Sequence, residues 1–149
     1  MIDLRWIAPA THAELYEGER RLRYEVLRKP LGMPLGSEEN AAEARCEHCV
    51  AFVGAGDARV VGCVLWLADD DGLSGKLLQM AVADDQRGND IGRRLVRELE
   101  RHVRDNGALV VRMHARETAL GFYLKLGYAV SGEQFSEVGL PHRLMQRAF

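Results

Sequence analysis

The chain has 149 residues, of which 47% are hydrophobic and 28% are charged, and its formal net charge is -2. A chain of this length usually forms one domain, and this composition excludes a disordered or fibrous protein. The balanced charge gives no overall field that would attract nucleic acid or an anionic membrane. We therefore expect a single domain over residues 1–149, with neither nucleic acid nor a membrane as partner.

Two further features of the sequence concern its compartment. No apolar stretch approaches the ~20 residues that span a bilayer, and the N-terminal segment meets a charge at Asp3 without an apolar core like that of a signal peptide. Three cysteines are an odd number and too few for a disulfide scaffold. The sequence thus predicts a soluble, cytoplasmic protein.

The first half of the chain predicts one helix and four strands. Residues 2–8 have strand character, and apolar residues recur at helical spacing from Thr11 until a loop rich in proline and glycine. Further strands are expected over residues 49–53, 60–67 and 76–83, because β-branched and apolar residues dominate these segments between turn residues.

The second half alternates between helices and strands. A clear helix begins at Ile91, where apolar residues recur every four positions, and it ends at Asn106-Gly107. Strands are expected over residues 108–115, 128–132 and 142–148, and a short helix over residues 117–126. This order predicts a mixed α/β fold in which strands 76–83 and 108–115 run parallel.

The loop over residues 86–92 is the segment that points to chemistry. It reads Gln-Arg-Gly-Asn-Asp-Ile-Gly and leads from a strand into the first turn of a helix. The unpartnered N–H groups of that turn and the helix dipole form an anion site, and glycine lets a phosphate approach the backbone. Arg87, Arg93 and Arg94 add positive charge. The alternative is an ordinary helix start capped by Asn89 or Asp90, and spacing alone does not separate the two.

Two segments resemble the signatures of one enzyme family. Gln-Met-Ala-Val at residues 79–82, followed by the loop at 86–92, is similar to the acetyl-CoA signature of the GCN5-related N-acetyltransferases (GNAT). Residues 119–128 are similar to the second signature of that family, and residues 23–28 and 132–142 resemble its small bacterial ElaA-like branch. The resemblance implies the GNAT fold, a central, twisted mixed sheet flanked by helices.

The resemblance also implies how acetyl-CoA, the co-substrate, is held. The backbone around Met80 and Val82 would pair with the pantetheine arm, and the loop amides would hold the pyrophosphate, with Arg87 and Arg94 also within reach of phosphate. The full set of implied acetyl-CoA-binding residues is Met80, Ala81, Val82, Arg87, Gly88, Asn89, Asp90, Ile91, Gly92, Arg93 and Arg116.

Two of these positions depart from the family pattern. Asp90 stands where the signature usually has a second glycine, and its carboxylate would repel a pyrophosphate, although Asp tolerates unusual backbone angles better than most residues. Arg116 stands where many relatives have an asparagine that contacts the cofactor. The departure at Asp90 therefore affects the expected affinity for CoA, whereas the departure at Arg116 affects only one expected contact with the cofactor.

The catalytic residue that the resemblance implies is Tyr123. In the family the tyrosine at this place protonates the departing CoA thiolate; from composition alone it would be an ordinary core tyrosine. Candidates for the general base are Glu117, His114, Glu137 and His142. Of these, His142 is the preferred base, and Glu117 and His142 are the residues that we expect near the acceptor.

Three functions follow from these observations as hypotheses. The first is an acetyl-CoA-dependent N-acetyltransferase in which a primary amine of a small molecule or peptide attacks the thioester directly. The second is a degenerate CoA-binding or regulatory domain with Asp90 as the lesion, and the third is a protein–protein module without a CoA site. The acceptor would lie near residues 20–39 and 132–142, and homodimers are common in the family.

Cys46-Glu47-His48-Cys49 is the one sequence that suggests a metal site. A structural zinc site needs four ligands, and Cys63 is the only other cysteine. We therefore expect small buried thiols that lead into a strand, and no bound metal.

Overall fold

Seven strands form one sheet in the computed structural model, which describes residues 1–149. In chain order the elements are β1 (Asp3–Ile7), α1 (Ala13–Leu27), β2 (Glu47–Val53), β3 (Arg59–Ala68), β4 (Ser74–Val82), α2 (Ile91–Asp105), β5 (Val110–Arg116), α3 (Leu120–Lys125), β6 (Ala129–Glu137) and β7 (Leu140–Ala148). The strand order across the sheet is β1-β2-β3-β4-β5-β7-β6. The predicted mixed α/β class is confirmed.

The strands β4 and β5 are the parallel pair that the sequence predicted. They pair only from Ser74 opposite Val110 to Lys76 opposite Arg112, whereas every other pair of neighbouring strands is antiparallel. Beyond Lys76 the edge of β4 that faces β5 has no strand partner. The sheet therefore contains a gap between the ends of these two strands.

The helix α2 lies directly against the backbone of β3. Its apolar stripe is buried as predicted, and a Cβ atom added at Gly62 would lie 2.8 Å from Cγ2 of Ile91 and 3.0 Å from Cδ1 of Leu95. Burying aliphatic side chains of this size contributes roughly 1.5–3 kcal/mol each. This contact fixes the position of the first turn of α2 relative to the end of β4.

The last two strands are longer than predicted, and they form a hairpin. The prediction placed them over residues 128–132 and 142–148 and left the residues between unassigned. Val138 and Gly139 form the turn, both with positive φ (46° and 76°), as in tight two-residue hairpin turns. Most of β6 is exposed at the edge of the sheet, so its residues show no alternation that would mark a strand.

The predicted helix over residues 117–126 consists of two parts. Residues Glu117–Ala119 form a 3-10 turn, and α3 follows over Leu120–Lys125. None of the helices combines the length and the apolar composition that crossing a bilayer requires.

Candidate functional site

A bulge at Gln79 bends β4 where it leaves β5. Gln79 has a φ of 46°, and the register between β3 and β4 shifts beside it. Its side-chain oxygen accepts hydrogen bonds from Arg23 (2.7 Å) and Asn40 (2.9 Å), and its side-chain nitrogen donates to the backbone carbonyl of Glu38 (2.7 Å). A bulge of this kind re-aims the strand that carries it, and here that strand continues into Met80 and Val82.

One concave surface, which we call the helix cleft, runs from the first turn of α2 to the end of β4. Its lining includes Met80, Ala81, Val82, Gln86, Arg87, Gly88, Asp90, Ile91, Gly92, Arg93, Arg116 and Phe122. The backbone N–H groups of Ile91, Gly92 and Arg93 donate to no group of the protein. Gly88 has a φ of 87° and open space where a Cβ atom would be. The cleft therefore presents free amides and the positive end of a fifteen-residue helix to a ligand.

Asp90 occupies the N-cap position of α2 without capping it. Its backbone is left-handed (φ 64°, ψ 17°), its side chain makes no hydrogen bond to the helix amides, and its carboxylate pairs with Arg93 at 3.1 Å. A left-handed backbone is the conformation that glycine adopts without strain, which agrees with the glycine of the resembled signature, and the ion pair reduces the repulsion that the carboxylate would exert on a bound phosphate.

Three other polar residues near the free amides, two in the loop and one in the first turn of α2, already have partners within the protein. Arg87 pairs with Asp84 (3.2 Å), and Arg94 donates to the backbone carbonyl of Ile2 (3.0 Å). Asn89 bonds within the loop, because both its amide N–H and its side chain donate to Gln86. Asn89 and Arg94 are not part of the lining of the helix cleft, whereas Arg87 is.

A second cavity, which we call the strand pocket, lies in the gap between β4 and β5 and has a volume of about 170 Å³. It is lined by Leu27, Arg28, Leu77, Gln79, Met80, Met113, His114, Ala115, Arg116, Ala119, Tyr123, Glu137, Val138 and His142. Four residues line both the strand pocket and the helix cleft, so the two spaces meet there; they are Leu27, Met80, Arg116 and Ala119.

The hydroxyl group of Tyr123 lies at the junction of the two spaces. The side chain is only 5% exposed, and its hydroxyl lies 4.0 Å from the sulfur of Met80. Burial raises the pKa of Tyr123 well above its usual value. The phenol is therefore a protonated donor throughout the neutral range.

Three of the four candidates for the general base, His114, Glu137 and His142, meet in the strand pocket. Nδ1 of His114 lies 2.9 Å from one carboxylate oxygen of Glu137, and Nε2 of His142 lies 3.7 Å from the other. Nδ1 of His142 must donate to the backbone carbonyl of Leu140, at 2.9 Å, so in the neutral ring Nε2 carries the lone pair. Burial alone would raise the pKa of Glu137, but the hydrogen bond to His114 and the charges of His142 and Lys76 lower it.

Of two further predicted residues, Glu117 lies outside both spaces, whereas Arg116 lies where they meet. Glu117 lies 3.5 Å from Arg143 and lines neither the strand pocket nor the helix cleft. Arg116 lines both, and its guanidinium donates to the backbone carbonyl of Leu27 (3.0 Å).

A buried polar cluster beneath Gln79 was not predicted. The guanidinium of Arg23 donates to Glu19 (2.8 Å) and to Glu43 (2.7 Å), and His48 contacts Glu19 at 2.9 Å. Partial burial opposes ionisation of Glu43, but hydrogen bonds from Arg23 and Tyr16 lower its pKa to about 2. The sequence carried one signal, because Glu19 and Arg23 fall on the apolar face of the predicted helix.

Comparison with solved structures identifies the class of fold. The crystal structure of ElaA from Escherichia coli superposes with a TM-score of 0.82 at 21% identity, covering 99% of each chain. An aminoglycoside 6'-N-acetyltransferase complexed with coenzyme A superposes with a TM-score of 0.76 at 17% identity, covering 98% of this chain and 96% of that one. The fold is thus that of the acyl-CoA N-acyltransferases, as the resemblance implied.

Comparison of sequences identifies the family. The family profile described as "Acetyltransferase (GNAT) domain" matches residues 37–149. The uncharacterized N-acetyltransferase YjcF of Bacillus subtilis strain 168 is 32% identical over 127 residues, which cover 85% of this chain and 87% of that protein. The chain therefore belongs to the GNAT family of acetyltransferases, whose members use an acyl-CoA donor. The predicted family is confirmed.

Proposed function

We propose that the chain transfers an acetyl group from acetyl-CoA to a primary amine of a small molecule or peptide, by direct attack of the amine on the thioester. The observation that carries this proposal is the junction of the two spaces. The helix cleft has free amides at one end and opens into the strand pocket at Met80, beside the hydroxyl of Tyr123.

The helix cleft suits the donor. Acetyl-CoA supplies the activated acetyl group as a thioester. The free amides of α2 and the open space above Gly88 suit its pyrophosphate, together with Arg87 and Arg93. The unpartnered edge of β4 at Met80 and Val82 can pair with the amide-containing pantetheine arm as an added strand would. A backbone N–H group near Val82 would then stabilise the negative charge that develops on the acetyl oxygen.

Tyr123 is the proposed general acid. Its phenol donates a proton to the CoA thiolate as the thiolate leaves. The ordinary pKa values of a phenol and a thiol lie within about two units of each other. Burial raises the pKa of the phenol, and it also disfavours the thiolate that forms beside it, so the match between the two acidities is kept. Burial keeps the phenol protonated until the thiolate forms beside it.

His142 is the proposed general base. Its Nε2 lone pair and the Glu137 carboxylate are two hydrogen-bond acceptors 3.7 Å apart, an arrangement that a donor between them would stabilise. An acceptor ammonium group placed there donates to both atoms and loses one proton to Nε2. The resulting neutral amine has the lone pair that the attack requires.

We expect substitution of His142 to lower turnover without weakening donor binding. His142→Gln should reduce kcat/KM for the acceptor by about 10²-fold, as is usual when general-base catalysis is lost, and should change the pH profile, because the acceptor must then lose its proton before it binds. CoA release with a panel of primary amines measures the rate. His12→Gln, at the start of α1 and outside both the strand pocket and the helix cleft, is the control. An unchanged pH profile in His142→Gln would exclude His142 as the base.

Donor binding tests the cleft and the effect of Asp90. Calorimetric titration with acetyl-CoA should give micromolar binding for the unaltered chain. Asp90→Gly should lower Kd two- to fivefold relative to the unaltered chain, because it removes a charge whose repulsion of the phosphates is roughly 0.5–1 kcal/mol. Asp57→Gly, in the exposed hairpin turn, should leave Kd unchanged. Binding by the glycine variant alone would favour a degenerate CoA site, and no binding by either would exclude the donor assignment.

A further inference from the structure

Two arginines at the strand pocket have no carboxylate partner. One nitrogen of Arg28 and one of Arg116 both donate to the backbone carbonyl of Leu27, at 3.2 Å and 3.0 Å. The remaining bond of Arg28 goes to the backbone carbonyl of Ser37 (3.3 Å). Burial, followed by the charge of Arg116, lowers the pKa of Arg28, and burial lowers that of Arg116. The fold therefore holds two like charges together on one wall of a partly buried cavity.

This arrangement sets the pair apart from the other arginines that are not exposed. Each of those has an ion pair with an aspartate or glutamate, and they are Arg20, Arg23, Arg112, Arg143 and Arg147. A half-buried guanidinium without an anion is costly, because its partial loss of hydration is not compensated. Two of them on one wall indicate that an anion from outside the chain completes the site.

The anion is not one of the CoA phosphates. The free amides, Arg87 and Arg93 that suit those phosphates lie along the helix cleft. Arg116 lines both spaces, but Arg28 lines only the strand pocket, so an anion that contacts both arginines lies on the strand-pocket side of Arg116. Glu137, the one carboxylate of the strand pocket, opposes the lowering of the pKa of both arginines through its charge, but it lies beside His114 and His142 and forms no ion pair with either arginine. The anion therefore belongs to the molecule that occupies the strand pocket.

We propose that the acceptor is an acidic amine, whose carboxylate is bound by Arg28 and Arg116 while its ammonium group lies between Glu137 and His142. This inference rests on the proposed function, since it assigns the acceptor to the strand pocket. The small cavity holds negative charge at Glu137 and positive charge at the arginine pair, so it is complementary to a short zwitterion. Guanidinium groups match the planar carboxylate with paired hydrogen bonds, which gives geometric selectivity as well as affinity.

Three matched pairs of conjugates, each pair differing only in a carboxylate or a carboxamide, test this proposal by their binding alone. Each conjugate joins the sulfur of CoA, through an acetyl bridge, to the nitrogen of an ω-amino acid of two, three or four carbons, or of its carboxamide. Calorimetry gives Kd for CoA and for every conjugate. We expect at least one carboxylate conjugate to bind ten or more times as tightly as its carboxamide. Arg28→Met should abolish this difference, Arg116→Met should reduce it, and Arg21→Met, at an exposed position of α1, should retain it.

The outcomes separate this proposal from the one on which it rests. If CoA binds and no carboxylate conjugate binds better than its carboxamide, the acidic acceptor is wrong and the donor site stands. A carboxamide preference leads to the same conclusion. If neither CoA nor any conjugate binds, the proposed function fails, and the acceptor assignment fails with it. Unchanged binding of the carboxamide conjugates to Arg28→Met shows that the variant is folded.

Discussion

Tyr123→Phe should lower turnover by about 10²-fold, which corresponds to about 2.7 kcal/mol of lost transition-state stabilisation, while Kd for acetyl-CoA stays within a factor of two. The substitution removes one oxygen atom, and that hydroxyl makes no hydrogen bond to an oxygen or nitrogen of the protein, its closest polar contact being the Met80 sulfur at 4.0 Å. The fold therefore loses little when the hydroxyl is removed. Without the acid, CoA must leave as an unprotonated thiolate.

The measurement compares kcat for CoA release, with the most reactive amine of the panel, against calorimetric Kd for acetyl-CoA. Tyr24→Phe is the control for loss of a tyrosine hydroxyl, because Tyr24 is partly buried but lines neither the helix cleft nor the strand pocket. A thiol of lower pKa needs less help from a general acid when it leaves. With a thioester donor whose thiol has a lower pKa than that of CoA, the loss of kcat in Tyr123→Phe should therefore be smaller. Equal kcat values for Tyr123→Phe and the unaltered chain would remove Tyr123 from the mechanism.

Arg23→Met should destabilise the fold by about 3–5 kcal/mol, the usual cost of removing one partner from a buried ion pair. The side chains of Arg23 and Glu19 are both completely buried, and the same guanidinium also contacts Glu43 and Gln79. Methionine fills much of the space but leaves two carboxylates without their cation. Urea denaturation followed by circular dichroism measures the change in the free energy of unfolding.

A variant on the same helix provides the comparison for Arg23→Met. Arg21 also forms an i,i+4 pair, with Glu17, but both side chains are exposed, so Arg21→Met should cost less than about 0.5 kcal/mol. Adding Glu43→Gln to Arg23→Met should recover part of the lost stability, because it removes one of the orphaned charges. A cost for Arg23→Met as small as that for Arg21→Met would show that the cluster does not hold the fold together.

The sequence alone predicted the parts of the fold that depend on local patterns. The four-residue apolar spacing of α2 and the glycine-bearing loop before it depend on residues near each other in the chain. The parallel pairing of β4 with β5 followed from the strand–helix–strand order, because such crossovers join parallel strands. The free amides were also expected from the loop and the helix start themselves, whereas Tyr123, which no periodicity singles out, was indicated only by the family signatures.

The remaining features depend on contacts between distant residues. Arg23 and Gln79 are separated by 56 positions, and no local pattern in either segment indicates that they meet. The same is true of Arg116 and Leu27, which are 89 positions apart. Local sequence patterns therefore could not predict three features of the structure. They are the bulge at Gln79, the paired arginines of the strand pocket and the full length of the hairpin strands.

The divergence of β4 from β5 divides the site between separate stretches of the chain. Most of the residues that line the helix cleft alone lie at positions 86–93. The strand pocket alone is lined by Arg28, just after α1, and by Glu137, Val138 and His142 at the hairpin tip, among others. The matched GNAT profile begins at residue 37 and so excludes α1. Under the proposed function, substitutions at this helix end and this hairpin tip would alter the acceptor pocket without changing residues 86–93 of the donor half. A family built in this way can diversify its substrates by altering the periphery of a fixed catalytic frame.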